Sequence, residues 1–207
     1  MDKQETIAEY DRYYRKKPTK WESEERNEYC RKRIEEYLEY TPRVVLDIGC
    51  GNGHTIAHLQ KTWLSAKYYG FDLSPEAIEI AKAKVPGANF KAMFLDEADY
   101  KIRFECIILL GVVEHFEKLH ESLVQINNLL TPNGIVYIEA PNCLAYPESE
   151  HIEGFRRVNF GNRQIEWHLS RQSWIKHFKE AGFEVGASII GPTPQTEFIF
   201  ILEKQLA

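Results

Sequence analysis

Three glycines at alternate positions, Gly49, Gly51 and Gly53, follow the apolar run Val44-Val45-Leu46-Asp47-Ile48 and precede a helix expected to start at Thr55. A buried strand that enters a glycine-rich turn and then a helix makes a nucleotide-type site. Glycine lets backbone approach a ligand where a Cβ would collide, and the free N–H groups of the helix start point at the same place. Two acids accompany the turn. Asp47 sits inside the strand, where a dinucleotide-binding strand normally carries an apolar residue, and Asp72 ends Tyr68-Tyr69-Gly70-Phe71-Asp72. A carboxylate at the second position can accept two hydroxyl protons at once.

The second half of the chain carries groups suited to proton transfer and anion binding. His115 follows the apolar run that starts at Phe104, and His151 and His168 fall in the polar stretch 141–170 together with Tyr146, Trp167, Arg156, Arg157 and Arg163. Imidazole, with an unperturbed pKa of about 6.5, is a suitable proton acceptor near neutrality. Guanidinium groups form paired bonds with planar anions. For any one loop histidine or arginine, plain solvent exposure is the commoner role. Glu114 adjoins His115, but neighbouring residues often point apart.

These groups need a scaffold, and from Pro42 onward the pattern supplies one. Strands are expected at 44–48, 67–72, 90–95, 105–111 and 134–140, and helices at about 54–64, 75–84 and 117–130. Ser74-Pro75-Glu76 opens the second of these helices with an N-cap and a proline at the first helical position. Alternating β and α elements call for a parallel sheet covered by helices on both faces, with ligands at the carboxyl ends of the strands. Only about eight residues link Asp96 to Phe104, too few for a full crossover helix. Helix 171–181 and strands 184–190 and 198–203 follow, the two strands joined through Gly191-Pro192-Thr193-Pro194. Residues 1–40, rich in Glu, Arg, Lys and Tyr, read as one or two amphipathic helices divided by Pro18. The stretch 141–170 reads as a long irregular loop of the kind that forms lids and binding loops.

Composition narrows the classes. A chain of 207 residues suits one domain, and a formal charge of −5 lacks the basic excess of a general nucleic-acid binder. The four cysteines, Cys30, Cys50, Cys106 and Cys143, form no Cys-x-x-Cys pair and have no close histidine, so no metal is expected and reduced thiols are. The charged start has no signal-peptide pattern and no apolar run reaches membrane-spanning length, which predicts a cytoplasmic protein.

In order along the chain, the glycine turn with Asp47 and Asp72, the segment Asn89–Asp96, the segment Phe104–Phe116 with Val113-Glu114-His115, the turn Leu129–Gly134 before Ile135–Ile138, and Ala181-Gly182-Phe183 resemble the class I S-adenosylmethionine-dependent methyltransferases. The likeness is to the broad small-molecule group that includes ubiquinone-biosynthesis and natural-product or sugar methyltransferases. It implies an α/β, Rossmann-like, doubly wound fold: a mostly parallel seven-stranded sheet with a C-terminal antiparallel hairpin. One domain would span 1–207, with 1–40 as a helical cap and 141–170 as a substrate lid. The cofactor implied is S-adenosylmethionine, with S-adenosylhomocysteine as product. Asp47, Gly49, Cys50 and Gly51 would lie at its methionine part, Asp72 and Leu73 at its ribose, Leu95, Asp96 and Glu97 at its adenine, with Leu110 beside it and Tyr14 and Trp21 closing over it.

Methyl transfer from a sulfonium is an in-line displacement, so positioning supplies much of the acceleration and no covalent enzyme nucleophile is needed. An oxygen acceptor needs a base, which His115, His168 or His151 could provide. Oxygen is therefore favoured, while nitrogen and carbon acceptors stay open. Tyr146, Trp167, Arg156, Arg157 and Arg163 would contact a small, anionic acceptor. Two readings of other classes compete. A nicotinamide-dependent oxidoreductase would share the glycine turn and Asp72 but not Asp47 or Val113-Glu114-His115; a non-catalytic methyltransferase-like binding subunit would keep the pocket without turnover.

Overall fold

The computed structural model of the protein describes residues 3–19, 22–142, 153–157, 165–191 and 197–205. Its helices are α1 (Lys3–Lys16), α2 (Glu24–Leu38), α3 (His54–Leu59), α4 (Pro75–Lys84), α5 (Leu119–Leu129) and α6 (Arg171–Glu180). The strands are β1 (Val44–Ile48), β2 (Lys67–Asp72), β3 (Asn89–Ala92), β4 (Phe104–Leu110), β5 (Leu130–Pro141), β6 (Gly154–Arg157), β7 (Ile165–His168), β8 (Phe183–Ile190) and β9 (Glu197–Lys204). Seven strands form one sheet in the order β3-β2-β1-β4-β5-β9-β8, and β6 and β7 form a separate pair. The Rossmann-like, mostly parallel sheet with a closing antiparallel hairpin is the fold expected from the sequence. No helix among the described residues is long and apolar enough to cross a membrane. The chain divides into two compact units, residues 1–107 and 108–207.

In the first unit, β1, β2 and β3 are parallel, with Asp47 opposite Gly70 and Ile48 opposite Phe71. Val45, Leu46 and Ile48 are buried, as a strand covered on both faces requires. Gly70 is small for a local reason: a Cβ there would stand 2.9 Å from Cys50 Sγ and from the Phe90 ring. Gly53 starts α3 with φ +74°, and its Cβ position lies 3.0 Å from Ala81 Cβ, so the turn packs directly on α4. Ser74 caps α4 by accepting from Ala77 N at 3.1 Å. Ser23 caps α2 likewise through Arg26 N, and Glu39, with φ 56°, ends that helix. Pro18 falls between α1 and α2, as expected.

Two elements differ from their sequence pattern. Helix α3 ends at Leu59 rather than near residue 64, because Lys61 N and Thr62 N turn back to the carbonyls of His58 and Leu59, and Trp63 is drawn into the core. Its indole donates to Glu35 Oε1 of α2 at 2.8 Å. Strand β3 stops at Ala92, and Leu95–Glu97 form a 3₁₀ turn in which Glu97 Oε2 accepts from Phe94 N at 2.9 Å. No helix forms between this turn and β4.

In the second unit β9 is antiparallel to both β5 and β8, with Ile138 opposite Phe200 and Phe200 opposite Ser188. Strand β5 begins at Leu130, directly after α5, so the residues read as a turn before position 134 already belong to it. Trp174, Phe178 and Phe200 are buried against one another, the Phe178 and Phe200 rings meeting edge to face at 5.0 Å. Asn127 Nδ2 donates to Gly182 O at 2.7 Å and fixes the corner between α6 and β8. The stretch 141–170 is not wholly irregular: β6 and β7 pair antiparallel, Phe155 opposite Trp167.

Candidate functional site

The glycine turn is held by backbone. Gly49 N and Cys50 N both donate to Phe71 O, at 2.8 and 3.0 Å, which ties the end of β1 to that of β2. Gly49, Gly51 and Gly53 have φ of 69°, 49° and 74°, the left-handed region that favours glycine. Asp72 Oδ2 accepts from Gly51 N at 3.0 Å and Oδ1 from Ser74 N at 2.9 Å. Leu73 N also donates to this carboxylate, which keeps acceptor capacity for a ligand. Burial raises the Asp72 pKa, and the backbone donors Ser74, Gly51 and Leu73 hold it down.

Asp47 is more isolated. It is 2% exposed, and its Oδ2 is buried with no hydrogen-bond partner among the described residues. Burial, and then the charge of Asp72, push its pKa up to about 8, against the pull of Arg26. Cys50 is buried beside both acids and its thiol pKa is raised, chiefly by burial.

Helix α1 covers this turn. Tyr14 is buried, and a Cβ on Gly51 would stand 2.5 Å from its hydroxyl oxygen. Burial and the nearby Asp72 raise the Tyr14 pKa, so the phenol stays neutral. Asp11 Oδ1 accepts from Ser74 Oγ at 2.5 Å and Glu76 N at 3.2 Å, adding a second carboxylate at the α4 N-terminus. Lys3 Nζ reaches Asp96 Oδ1 at 2.8 Å and lies 4.5 Å from the Phe94 ring centre. Leu95 is buried, whereas Asp96 and Glu97 are exposed and share Lys3 as counter-ion. Leu73 is half-buried behind Asp72.

Sequence reading missed the clasp beside the turn. Asn52 Nδ2 donates to Pro18 O at 2.5 Å and Glu22 Oε1 at 2.7 Å, while its Oδ1 accepts from His54 N. His58 is flanked by Glu24 Oε2 at 2.6 Å and Glu28 Oε2 at 3.1 Å. Asn52 stood inside the glycine motif, but its partners lie about thirty residues upstream and leave no local pattern.

In the second unit, Leu110 is half-buried at the end of β4, and Gly111 follows with φ 67°. Val113–His115 then form a 3₁₀ turn in which Glu114 is buried and His115 is partly open. Glu114 Oε1 is 4.0 Å from His115 Nε2, beyond a hydrogen bond. Strand β7 packs beside this turn, with Trp167 Nε1 donating to Phe116 O at 2.8 Å. Glu166 and His168 alternate with Trp167, and His168 Nε2 lies 3.1 Å from Glu166 Oε1. His168 is fully buried, not surface-exposed as a loop histidine would be. Burial, and then the charge of Glu114, raise the Glu166 pKa, while His115 and His168 act against that. The structure thus gathers Glu114, His115, Glu166 and His168; the role of Glu166 in this group had no sequence signal beyond its place before Trp167.

Trp21, Tyr146, His151 and Arg163 are outside the described residues, and Arg156 and Arg157 are described only as backbone of β6. Among the described residues no histidine, cysteine or acid group is arranged to hold a metal ion.

The chain matches a family described as a methyltransferase domain over residues 23–188. It is 32% identical over 193 residues to a demethylmenaquinone methyltransferase of Chlorobaculum parvum, covering 84% of this chain and 78% of the relative. To a trans-aconitate 2-methyltransferase of Rhodopseudomonas palustris it is 30% identical over 115 residues, 54% of this chain and 43% of that one. In fold it is similar to the 1,6-didemethyltoxoflavin-N1-methyltransferase of Burkholderia thailandensis, a structure solved with 1,6-didemethyltoxoflavin and S-adenosylhomocysteine. The TM-score is 0.77 at 19% identity, over 97% of this chain and 88% of that one.

Proposed function

Since the chain belongs to the S-adenosylmethionine-dependent methyltransferase family, we propose that it moves a methyl group to an oxygen of a small, anionic acceptor in the cytoplasm. The observation that carries the cofactor part is Asp72: a buried carboxylate, oriented by backbone N–H groups of Gly51, Leu73 and Ser74, with acceptor capacity left beside a glycine turn. Those two oxygens suit a ribose diol. The orphaned Asp47 oxygen and the left-handed turn at Gly49 and Gly51 fit a ligand with further donors and no room for side chains. The bound cofactor would supply an electrophilic methyl on sulfonium.

The chain's own residues supply binding and proton handling. Gly49, Cys50 and Gly51 line the methionine part with backbone, Leu73 and Asp72 the ribose, and Leu95, Asp96 and Glu97 the adenine; Leu110 adds an apolar contact, and Tyr14 and Trp21 close over the whole. His115, partly open and next to the Glu114 and Glu166 carboxylates, is the base that takes a hydroxyl proton. A neighbouring carboxylate stabilises the imidazolium as it forms. His168, buried on Glu166, acts from behind it, and His151 is the remaining alternative. The lid 141–170 selects the acceptor, with Trp167 and Tyr146 as walls and Arg156, Arg157 and Arg163 for its anion. The relatives named above act on demethylmenaquinone and trans-aconitate, so their names span more than one acceptor type. The net charge of −5 supports a small molecule over nucleic acid, and the buried thiols of Cys30, Cys50 and Cys106 suit a reducing compartment. A single domain over 1–207 with a helical cap at 1–40 is the organisation this reading uses.

Calorimetry with S-adenosylhomocysteine and with NAD, followed by incubation with methyl-labelled cofactor and a panel of hydroxy acids, phenols and amines, tests the reading. We expect binding of S-adenosylhomocysteine alone and label on oxygen. Binding of NAD instead would overturn it, and binding without label in any acceptor would favour a non-catalytic subunit.

A further inference from the structure

Helix α1 lies across the carboxyl ends of three neighbouring strands and touches the segment after each in order. Tyr14 meets Gly51 beyond β1, Asp11 and Arg15 meet Ser74 and Glu76 beyond β2, and Lys3 meets Phe94, Asp96 and Glu97 beyond β3. The stretch from Lys3 to Tyr14 rises about 16 Å, enough to cross two gaps between strands of about 5 Å each. Ligands of a parallel sheet sit at these carboxyl ends, so anything bound at Asp72 and the glycine turn comes and goes past α1.

The two ends of the helix are held unequally. Its Pro18 end is anchored in depth: Asn52 Nδ2 donates to Pro18 O and to Glu22 Oε1, Glu22 also pairs with Lys84, and the Glu22 and Lys84 side chains are 24% and 27% exposed. The far end rests on Lys3, 49% exposed, which pairs with Asp96, 65% exposed, and lies 3.6 Å from Glu97. An ion pair that open contributes little and is screened by salt. Arg15 and Glu76, 3.0 Å apart, form a second exposed fastening.

We propose that α1 is a gate on cofactor exchange: it swings from its Pro18 end, and the Lys3 latch sets how fast the cofactor enters and leaves without setting how tightly it is held. This rests on the cofactor reading above. The latch joins groups of the protein to each other, so it adds the same amount to the cost of opening whether the site is filled or empty. Weakening it raises the open fraction by one factor in both states, which speeds association and dissociation equally and cancels in their ratio.

Surface plasmon resonance with the full chain immobilised and S-adenosylhomocysteine in flow reads both rate constants. In Lys3→Met both are expected to rise about two- to fivefold, as an exposed ion pair supports, with Kd unchanged, and Lys3→Arg restores the native rates. Because Asp96 and Glu97 also stand where adenine is proposed, Arg15→Met is measured beside it. Its partner Glu76 has no part in that site, and the same parallel rise is expected. Salt at roughly 1 M, where the Debye length is about 3 Å, is expected to bring the native protein to the Lys3→Met rates. Hydrogen exchange without ligand is the independent readout: amides of Lys3–Lys16 are expected to exchange faster in Lys3→Met, and those of β1 are not. A rise in the dissociation rate alone, with Kd following it, makes α1 a wall of the site and overturns the gate, as do rates or α1 exchange that stay at native values. Failure of the native protein to bind S-adenosylhomocysteine sinks the cofactor reading instead, and the exchange of α1 amides still decides whether Lys3 holds the helix.

Discussion

Tyr14 and Gly51 are in a fixed steric relationship: the phenol oxygen lies 2.5 Å from the point a Cβ on Gly51 would occupy. An aromatic residue of the first helix therefore measures the size of a turn some forty residues later. Gly51→Ala pays twice, through this clash and through a φ of +49° that costs an L residue about 1–2 kcal/mol. Thermal melts of Gly51→Ala, Tyr14→Ala and the double variant are expected to show less than additive loss, since removing the ring leaves only the backbone strain. Strict additivity would separate the two residues.

Asp72→Ala removes the acceptors that hold Gly51 N and Ser74 N and that are proposed to hold the ribose. Charge-assisted bonds of roughly 1.5–3 kcal/mol imply a loss of about tenfold to a hundredfold in S-adenosylhomocysteine affinity. Calorimetry on a variant shown to be folded by circular dichroism is the check; unchanged affinity moves the ribose elsewhere.

His115→Ala is expected to lower turnover by roughly a hundredfold or more and to leave cofactor affinity nearly intact. Steady-state rates with the acceptor found by the labelling experiment measure this. A change confined to the acceptor's KM would make His115 a binding residue.

Protonation of Asp47 enters the stability of the ligand-free fold. Its folded pKa is raised from 3.8 to about 8, so its contribution is fully present below pH 4 and is lost as pH rises through 8. The raised pKa of Asp72 has the same sign, whereas His54 and His177, with lowered values, stabilise as pH rises through the ordinary histidine range. The difference between the native protein and Asp47→Asn isolates the first effect. Urea unfolding from pH 5 to 9 is expected to favour the native protein toward acid and the variant toward alkali. A pH-independent difference would mean that Asp47 does not titrate in this range.

What could be read in advance was local. The glycine spacing, the Ser74-Pro75 start of α4 and the β/α alternation are patterns within a few residues, and β1, β2, α4 and the closing strands fell where those patterns put them. What could not be read depended on distant partners. Trp63 shortens α3 because Glu35 and the core claim it. Asp96 is neutralised by Lys3, 93 residues away. Glu166 comes to matter only when β7 is pinned to Phe116 O. The acid at Asp47 was visible as out of place, but its missing partner was not.

Gly70 carries a consequence for lineages rather than for one molecule. A methyl there would meet Cys50 Sγ and the Phe90 ring at 2.9 Å, so positions 50, 70 and 90 share one fixed volume across three segments. Descendants of this chain can enlarge residue 70 only where both of the other two give way. The three positions should therefore change together, and an Ala at 70 should keep company with altered residues at both 50 and 90.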